Sequence, residues 1–122
     1  MIDVDKFKLI NDNFGHVEGD RALVLLAEAL KIGTERIKEK CFLARYGGDE
    51  FIIIVSSENE FEIENLVNIL HEEVANTHKK TKNYQLQVSI GYSRIHENES
   101  ILSVIENADE NMYKIKVEKK RK

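Results

Sequence analysis

The feature that most constrains the fold is a pair of short β-rich runs joined by a tight, glycine-rich connection. The runs cover residues 42–46 and 51–55, and residues 47–50, Gly-Gly-Asp-Glu, lie between them. So short a connection between two apolar runs favours a β-hairpin. Because glycine tolerates positive φ and has no side chain, we expect the turn to adopt positive φ and to admit a bulky ligand close to its backbone.

The rest of the chain alternates between strand and helix periodicity. Two segments have the pattern of strands, residues 2–4 and 86–92, and four have the apolar spacing of helices, residues 5–14, 19–37, 63–74 and 101–115. Gly15 is placed to end the first helix. The order β-α-α-β-β-α-β-α predicts an α+β fold, a ferredoxin-like, palm-type split βαβ sheet flanked by helices.

In that topology the first strand is central and lies beside the hairpin. Only about three of its residues are present, residues 2–4, whereas a strand usually has ~5–6 residues. We therefore expect one domain over residues 1–122 whose first strand is mostly missing.

The composition limits the class of function and the location. The chain has 18 basic and 22 acidic residues and a net charge of −4, which argues against nucleic acid as a partner. Since no apolar run approaches the ~20 residues of a membrane span, we expect no membrane contact. The acidic start is unlike a signal peptide, and Cys41 is the single cysteine. These features predict a cytoplasmic protein.

Several carboxylates are expected to converge at one edge of the sheet. Asp3 and Asp5 lie at the end of the first strand, and Asp49 and Glu50 lie in the hairpin turn. Neighbouring strands are ~4.8 Å apart, so these acids would repel each other unless a cation lay between them. Oxygen ligands favour Mg²⁺, which can activate a 3′-hydroxyl and stabilise a leaving pyrophosphate. Taken alone, the turn is equally compatible with an ordinary solvated hairpin, and Asp before a helix is a common N-cap.

Two polar residues before the hairpin could recognise a purine. Asp20 can accept from the N1–H and the exocyclic amine of guanine, and Asn11 can pair with its remaining polar edge. Such a site would reject adenine, whose N1 carries no proton. In isolation, both residues are more often helix caps, and His16 is more often a helix-start residue than a ligand.

Together these segments resemble the GGDEF family of diguanylate cyclases. The motif that names the family is intact from Arg45 to Phe51, and residues 3–20 are similar to its metal-and-guanine segment almost position for position. Residues 88–91 resemble its late strand, and residues 108–116 resemble its final helix. The resemblance covers essentially the whole chain. It implies a nucleotidyltransferase of bacterial signal transduction that condenses two GTP into cyclic di-GMP plus pyrophosphate.

The resemblance also implies roles for individual residues. Mg²⁺ or Mn²⁺ would be held by Asp3, Asp49 and the Val4 carbonyl, with Asp49 as candidate base and Glu50 supporting a second metal. Backbone N–H groups at the start of the first helix would meet the phosphates. The residues implied in substrate binding are Lys6, Phe7, Lys8, Asn11, His16, Asp20, Gly47, Gly48 and Lys116.

Each such domain holds one GTP, so the resemblance implies a homodimer, brought together by a sensory domain outside this chain. The alternative is a catalytically silent GTP-binding or dimerisation module in a signalling protein.

Three departures from the family pattern shape these expectations. The helix that precedes the first strand in the family has no counterpart, so we expect a GGDEF domain without it. Residues 38–41, Lys-Glu-Lys-Cys, replace the family's Arg-x-x-Asp product site, and product inhibition there is not expected. Residues 118–121 replace the usual Gly-Arg-Asn, which weakens the case for Lys120 as a phosphate ligand.

Overall fold

The structure, a computed structural model, describes residues 1–57 and 59–121. Its elements follow the predicted order, with one short 3₁₀ turn after the third helix. They are β1 (Ile2–Val4), α1 (Phe7–Phe14), α2 (His16–Glu35), β2 (Cys41–Arg45), β3 (Glu50–Val55), α3 (Glu60–Asn76), the 3₁₀ turn (Thr77–Lys79), β4 (Val88–Ile90) and α4 (Ile101–Lys120).

The four strands form one antiparallel sheet in the order β2-β3-β1-β4. Although β1 has only three residues, it pairs on both sides, so that Ile2 lies between Phe51 of β3 and Ile90 of β4. The predicted α+β class and the central position of β1 beside the hairpin are therefore confirmed.

Helices cover the two faces of the sheet. Successive strand residues face opposite sides, and Phe51 packs in the main core with α2 and α3 whereas Ile52 packs with Met112 of α4. The main core is centred on α2, where Leu26 and Leu30 are fully buried. Burial of this apolar surface holds the sheet against α2 and α3.

Gly91 lets α4 approach the end of β4. A Cβ at Gly91 would overlap the backbone of Ala108 and Met112, so only glycine allows the helix to lie this close. The Gly91 N–H also donates to the Met1 carbonyl at 3.0 Å. The close approach at Gly91 places α4 against β4, and the pairing of β4 with β1 brings the lysines of the last turns of α4 to the end of β1.

Several element boundaries differ from the predictions, and the starts of α1 and α2 differ for local reasons. Helix α1 begins at Phe7 rather than residue 5, because Lys6 has left-handed backbone angles (φ 56°, ψ 36°). Helix α2 begins at His16 rather than residue 19, because Gly15 (φ 89°) reverses the chain within a single residue. Strand β4 is shorter than residues 86–92 and covers Val88–Ile90.

Candidate active site

Strand pairing brings the acidic residues of β1 and the hairpin together. Asp3 is directly opposite Glu50 in the β1–β3 ladder, and the Val4 N–H donates to the Asp49 carbonyl at 3.3 Å. The Asp49 carboxyl lies close enough to Asp3 to raise the pKa of Asp3. The structure thus places Asp3, Asp49 and Glu50 in one cluster at the end of the central strand.

The hairpin turn is shaped by Arg45 rather than by unusual glycine angles. Among the described glycines only Gly15 has positive φ, so the prediction of positive φ at Gly47 and Gly48 is wrong. Instead, the Arg45 guanidinium donates to the Gly47 carbonyl at 3.1 Å and to the Gly48 carbonyl at 2.5 and 3.1 Å. These bonds hold the turn from one side while the backbone of Tyr46 donates to the Glu50 carbonyl at 2.9 Å.

Lys116 of α4 places a positive charge among the expected metal ligands. Its Nζ lies 2.7 Å from Asp3 Oδ2 and donates to the Val4 carbonyl at 3.3 Å. The other carboxylate oxygen, Asp3 Oδ1, is buried and has no hydrogen-bond partner within residues 1–57 and 59–121. Two of the predicted ligand groups therefore converge on one cation, and an unsatisfied buried oxygen lies beside them, so this donor set fits a hard metal ion.

Side chains alone do not form a full metal cage. In the part of the chain that the structure describes, no group of three or more His, Cys, Asp or Glu side chains is arranged to hold a metal ion. A metal ion at Asp3 and Asp49 would need a backbone carbonyl, such as that of Val4, as a third protein ligand. This is typical of Mg²⁺, which keeps several waters and is completed by substrate phosphates.

Burial changes the acidity of the cluster. Burial, together with the nearby Asp49 carboxyl, raises the pKa of Asp3 to about 6 against the opposing effect of Lys116. Burial also raises the pKa of Glu50, with smaller effects from the charges of Asp3 and Asp109. The pKa of both groups is raised chiefly because burial penalises the charged form, and the neighbouring negative charges add to this effect.

The start of α1 presents backbone donors next to this cluster. Phe7 and Lys8 open the helix, and their N–H groups have no acceptor among the described residues. Phe7 is half-buried, whereas the side chains of Lys6 and Lys8 are exposed. A cavity of about 1110 Å³ opens beside this helix start, and Lys6 and Lys116 are among its lining residues. The arrangement can receive an anion.

The predicted base-reading residues lie at the junction of α1 and α2. The Asn11 side chain lies against Gly19, where a Cβ would overlap Asn11 Oδ1. Asp20 follows Gly19 in the first turns of α2 and is exposed, as is His16, which begins the helix. Gly19 therefore brings Asn11 close to the backbone that carries Asp20.

Tyr84, which is distant in sequence, stabilises the α1–α2 junction. This contact was not predicted from the sequence. Tyr84 donates to Glu18 at 2.5 Å, and the Tyr84 ring lies 5.3 Å from that of Phe14. Arg21 donates to the same Glu18 carboxylate at 2.9 Å. The Tyr84 hydrogen bond holds the pKa of Glu18 below its usual value. Because Tyr84 and Glu18 are 66 positions apart, nothing in the local sequence indicates their contact.

Asp5 does not join the carboxylate cluster, contrary to the expected convergence. Its Oδ1 accepts from Ser89 at 2.6 Å and its Oδ2 accepts from Lys119 at 2.6 Å. On α4, Lys116 and Lys119 reach the end of β1, and Lys120 lines the adjacent cavity.

Comparison with known proteins defines the class. The family model described as "Diguanylate cyclase, GGDEF domain" matches residues 1–122. The chain belongs to the GGDEF family of diguanylate cyclases. Among the described residues, no helix is both long and apolar enough to cross a membrane.

Three relatives show the extent of the similarity. Diguanylate cyclase DgcP of Pseudomonas aeruginosa is 32% identical over 118 residues, which are 95% of this chain and 17% of that protein. Probable diguanylate cyclase DgcI of Escherichia coli is 38% identical over 116 residues, 95% of this chain and 24% of that protein. The structure of the active GGEEF domain of a diguanylate cyclase from Vibrio cholerae has a TM-score of 0.75 at 33% identity, covering 93% of this chain and 71% of that chain. The chain thus spans about a fifth of the length of these two curated relatives.

The raised pKa of Asp3 predicts a pH-dependent stability in the absence of divalent cations. The pKa of the Asp3 carboxyl is 3.8 in the unfolded chain and about 6 in the folded protein. Since the folded state binds the Asp3 proton more tightly than the unfolded state does, protonation of Asp3 adds to the free energy of unfolding. This contribution is full below about pH 4 and is lost as the pH rises to about 6. In urea unfolding with EDTA, the free energy of unfolding of the parent should fall by about 1–2 kcal/mol relative to that of Asp3→Asn across that window. A difference between the two proteins that stays constant from about pH 4 to pH 7 would contradict the assignment.

Proposed function

We propose that this domain condenses two molecules of GTP into cyclic di-GMP and releases pyrophosphate. The observation that carries the proposal is the convergence of Asp3 and the Val4 carbonyl on one positive charge, beside Asp49. The names of the relatives, diguanylate cyclases in Pseudomonas aeruginosa and Vibrio cholerae, support the same reaction.

Mg²⁺ or Mn²⁺ would be held by Asp3, Asp49 and the Val4 carbonyl, with Glu50 available for a second ion. When bound, the ion lowers the pKa of the attacking 3′-hydroxyl and neutralises charge on the leaving pyrophosphate. Lys116 must first release Asp3 and Val4, which it contacts through a long, flexible side chain. We propose that its ammonium then pairs with the substrate triphosphate, exchanging one anionic partner for another.

In the reaction, Asp49 would accept the proton of the 3′-hydroxyl of one GTP. The resulting oxygen attacks the α-phosphorus of the other GTP, the bond between the α-phosphorus and the bridging oxygen breaks, and pyrophosphate leaves. Two such bonds close the cyclic product. Since each domain would hold one GTP, the active species would be a homodimer, assembled by a sensory domain elsewhere in the protein.

Specificity for guanine would come from the α1–α2 junction. Asp20 would accept from the N1–H and exocyclic amine, and Asn11 would pair with the remaining edge, with His16 near the nucleotide. Gly47 and Gly48 would leave room for the triphosphate, and the free N–H groups of Phe7 and Lys8 would donate to it. Lys6 and Lys8 would add positive charge.

We also propose a cytoplasmic domain without nucleic-acid or membrane contact. The net charge of −4 and the single cysteine support this location and this choice of partners.

Substitution of Asp49 tests the proposed chemistry. With GTP and Mg²⁺, chromatography should detect cyclic di-GMP and pyrophosphate from the parent chain. Asp49→Asn keeps the shape but removes the base and a metal ligand, so turnover should fall by about 10² or more. Glu110→Gln, which removes an exposed carboxylate of α4, should retain the parental rate. Parental turnover by Asp49→Asn would refute the assignment. GTP binding by the parent without product would instead support a catalytically silent module.

Substitution of Gly19 tests the guanine site. In Gly19→Ala the new Cβ would displace Asn11 Oδ1, while alanine suits the helix at least as well as glycine. The preference for GTP over ATP in equilibrium binding should therefore fall by about tenfold, the effect of one lost hydrogen bond to the base. Gly33→Ala is the matched control, because it is in the same helix and its Cβ would crowd the buried Leu70 side chain at 2.8 Å instead of Asn11. An unchanged preference in Gly19→Ala would exclude the proposed role of Asn11.

A further inference from the structure

We infer that Ser89 and Lys119 are positioning residues, which hold Asp5 and thereby the left-handed backbone of Lys6 in the geometry that the phosphate-binding turn requires. The inference rests on the proposed function, since the phosphates in question are those of GTP. It assigns a role to three residues that lie outside the expected metal and guanine sites.

The β1–α1 junction contains an unfavourable backbone conformation. Lys6 has φ 56° and ψ 36°, angles that crowd the Cβ of any residue other than glycine. A conformation of this kind persists only where the surrounding structure imposes it. The side chain of Lys6 is exposed and has no capping hydrogen bond, so the constraint must come from its neighbours.

Asp5 supplies that constraint, because all of its polar groups except its carbonyl are engaged by other elements. Its N–H donates to the Gln87 carbonyl at 2.8 Å. Its carboxylate accepts from Ser89 and from Lys119, each at 2.6 Å. The Ser89 side chain is fully buried, and Lys119 also donates to the Val88 carbonyl at 2.6 Å. Asp5 is thereby bound through its backbone to the residue that precedes β4, and through its side chain to both β4 and α4.

The position of Asp5 in the chain makes this network relevant to the site. On one side lies Val4, whose carbonyl accepts from Lys116. On the other side lies Lys6, whose carbonyl accepts from Leu9 and Ile10 while the N–H groups of Phe7 and Lys8 face no protein acceptor in the described chain. A rotation of the backbone at Asp5 would move the Val4 carbonyl and these N–H groups together.

Direct roles for the same residues fit the contacts less well. Both carboxylate oxygens of Asp5 already accept short hydrogen bonds, which leaves Asp5 poorly suited as a metal ligand. Lys119 donates to Asp5 Oδ2 and to the Val88 carbonyl at 2.6 Å each, whereas Lys116 contacts the Val4 carbonyl at 3.3 Å, so Lys119 is the less readily released of the two.

The test compares Ser89→Ala and Lys119→Met with controls that remove similar groups elsewhere. Ser93→Ala loses a 2.7 Å hydrogen bond to the Val104 carbonyl away from the junction, and Lys114→Met removes an exposed lysine of the same helix. In the full chain, the affinity for GTP should fall about tenfold in both test variants. The affinity for GMP and the ratio of GTP to ATP binding should change little, because the base site is untouched. Lys119→Arg should restore most of the affinity.

A second measurement does not depend on nucleotide binding or catalysis. The ¹³Cα and ¹³Cβ chemical shifts of Lys6 report its backbone angles, and they should move from left-handed values in Ser89→Ala and Lys119→Met but not in the controls. If the parent neither binds GTP nor makes product, the proposed function fails while these shifts still decide whether the network holds Lys6. Unchanged Lys6 shifts in both test variants, or equal loss of GTP affinity in Ser93→Ala, would overturn the inference.

Discussion

The partly buried carboxylate of Asp3 at the end of the central strand is the constraint on which the site depends. Its pairing partner across the ladder is another acid, Glu50, and the Asp49 carboxyl is adjacent, so a cation must balance the cluster. In the structure Lys116 provides it, reaching over from α4. That reach requires α4 to lie against β4, which Gly91 permits. The charge balance of the site thus depends on both strand pairing and helix packing.

The architecture could be predicted from sequence periodicity because each element has a clear apolar pattern and is bounded by turn residues. The hairpin, the four helices and the central position of β1 were all predicted, since a split βαβ order leaves β1 beside the hairpin. The predicted starts of α1 and α2 were wrong because each depends on the backbone angles of a single residue. A positive φ at Gly15 (φ 89°, ψ 163°) could be expected of a glycine, but the left-handed angles of Lys6 (φ 56°, ψ 36°) oppose the preference of a residue with a Cβ.

The candidate site was predictable only as far as its residues belong to local motifs. Asp3, Asp49 and Glu50 are in two short segments that the sheet brings side by side. Contacts between distant positions could not be predicted: Asp5 meets Ser89 84 positions away and Lys119 114 positions away. The prediction for the glycines of the turn was wrong because it considered their own backbone freedom and not the guanidinium of Arg45, which binds their carbonyls.

The central claim is that Asp3 and the Val4 carbonyl form a cation site at which Lys116 stands in the place of a metal ion. The most direct measurement is a Mn²⁺ titration, followed by electron paramagnetic resonance without nucleotide, of the parent, Lys116→Met and Lys114→Met. Lys114→Met removes the same charge from an exposed position of the same helix and controls for net charge. The account predicts clearly tighter Mn²⁺ binding in Lys116→Met than in either other protein, and loss of that binding when Asp3→Asn is added. Equal affinity in all three proteins, or Mn²⁺ binding that survives Asp3→Asn, would contradict it.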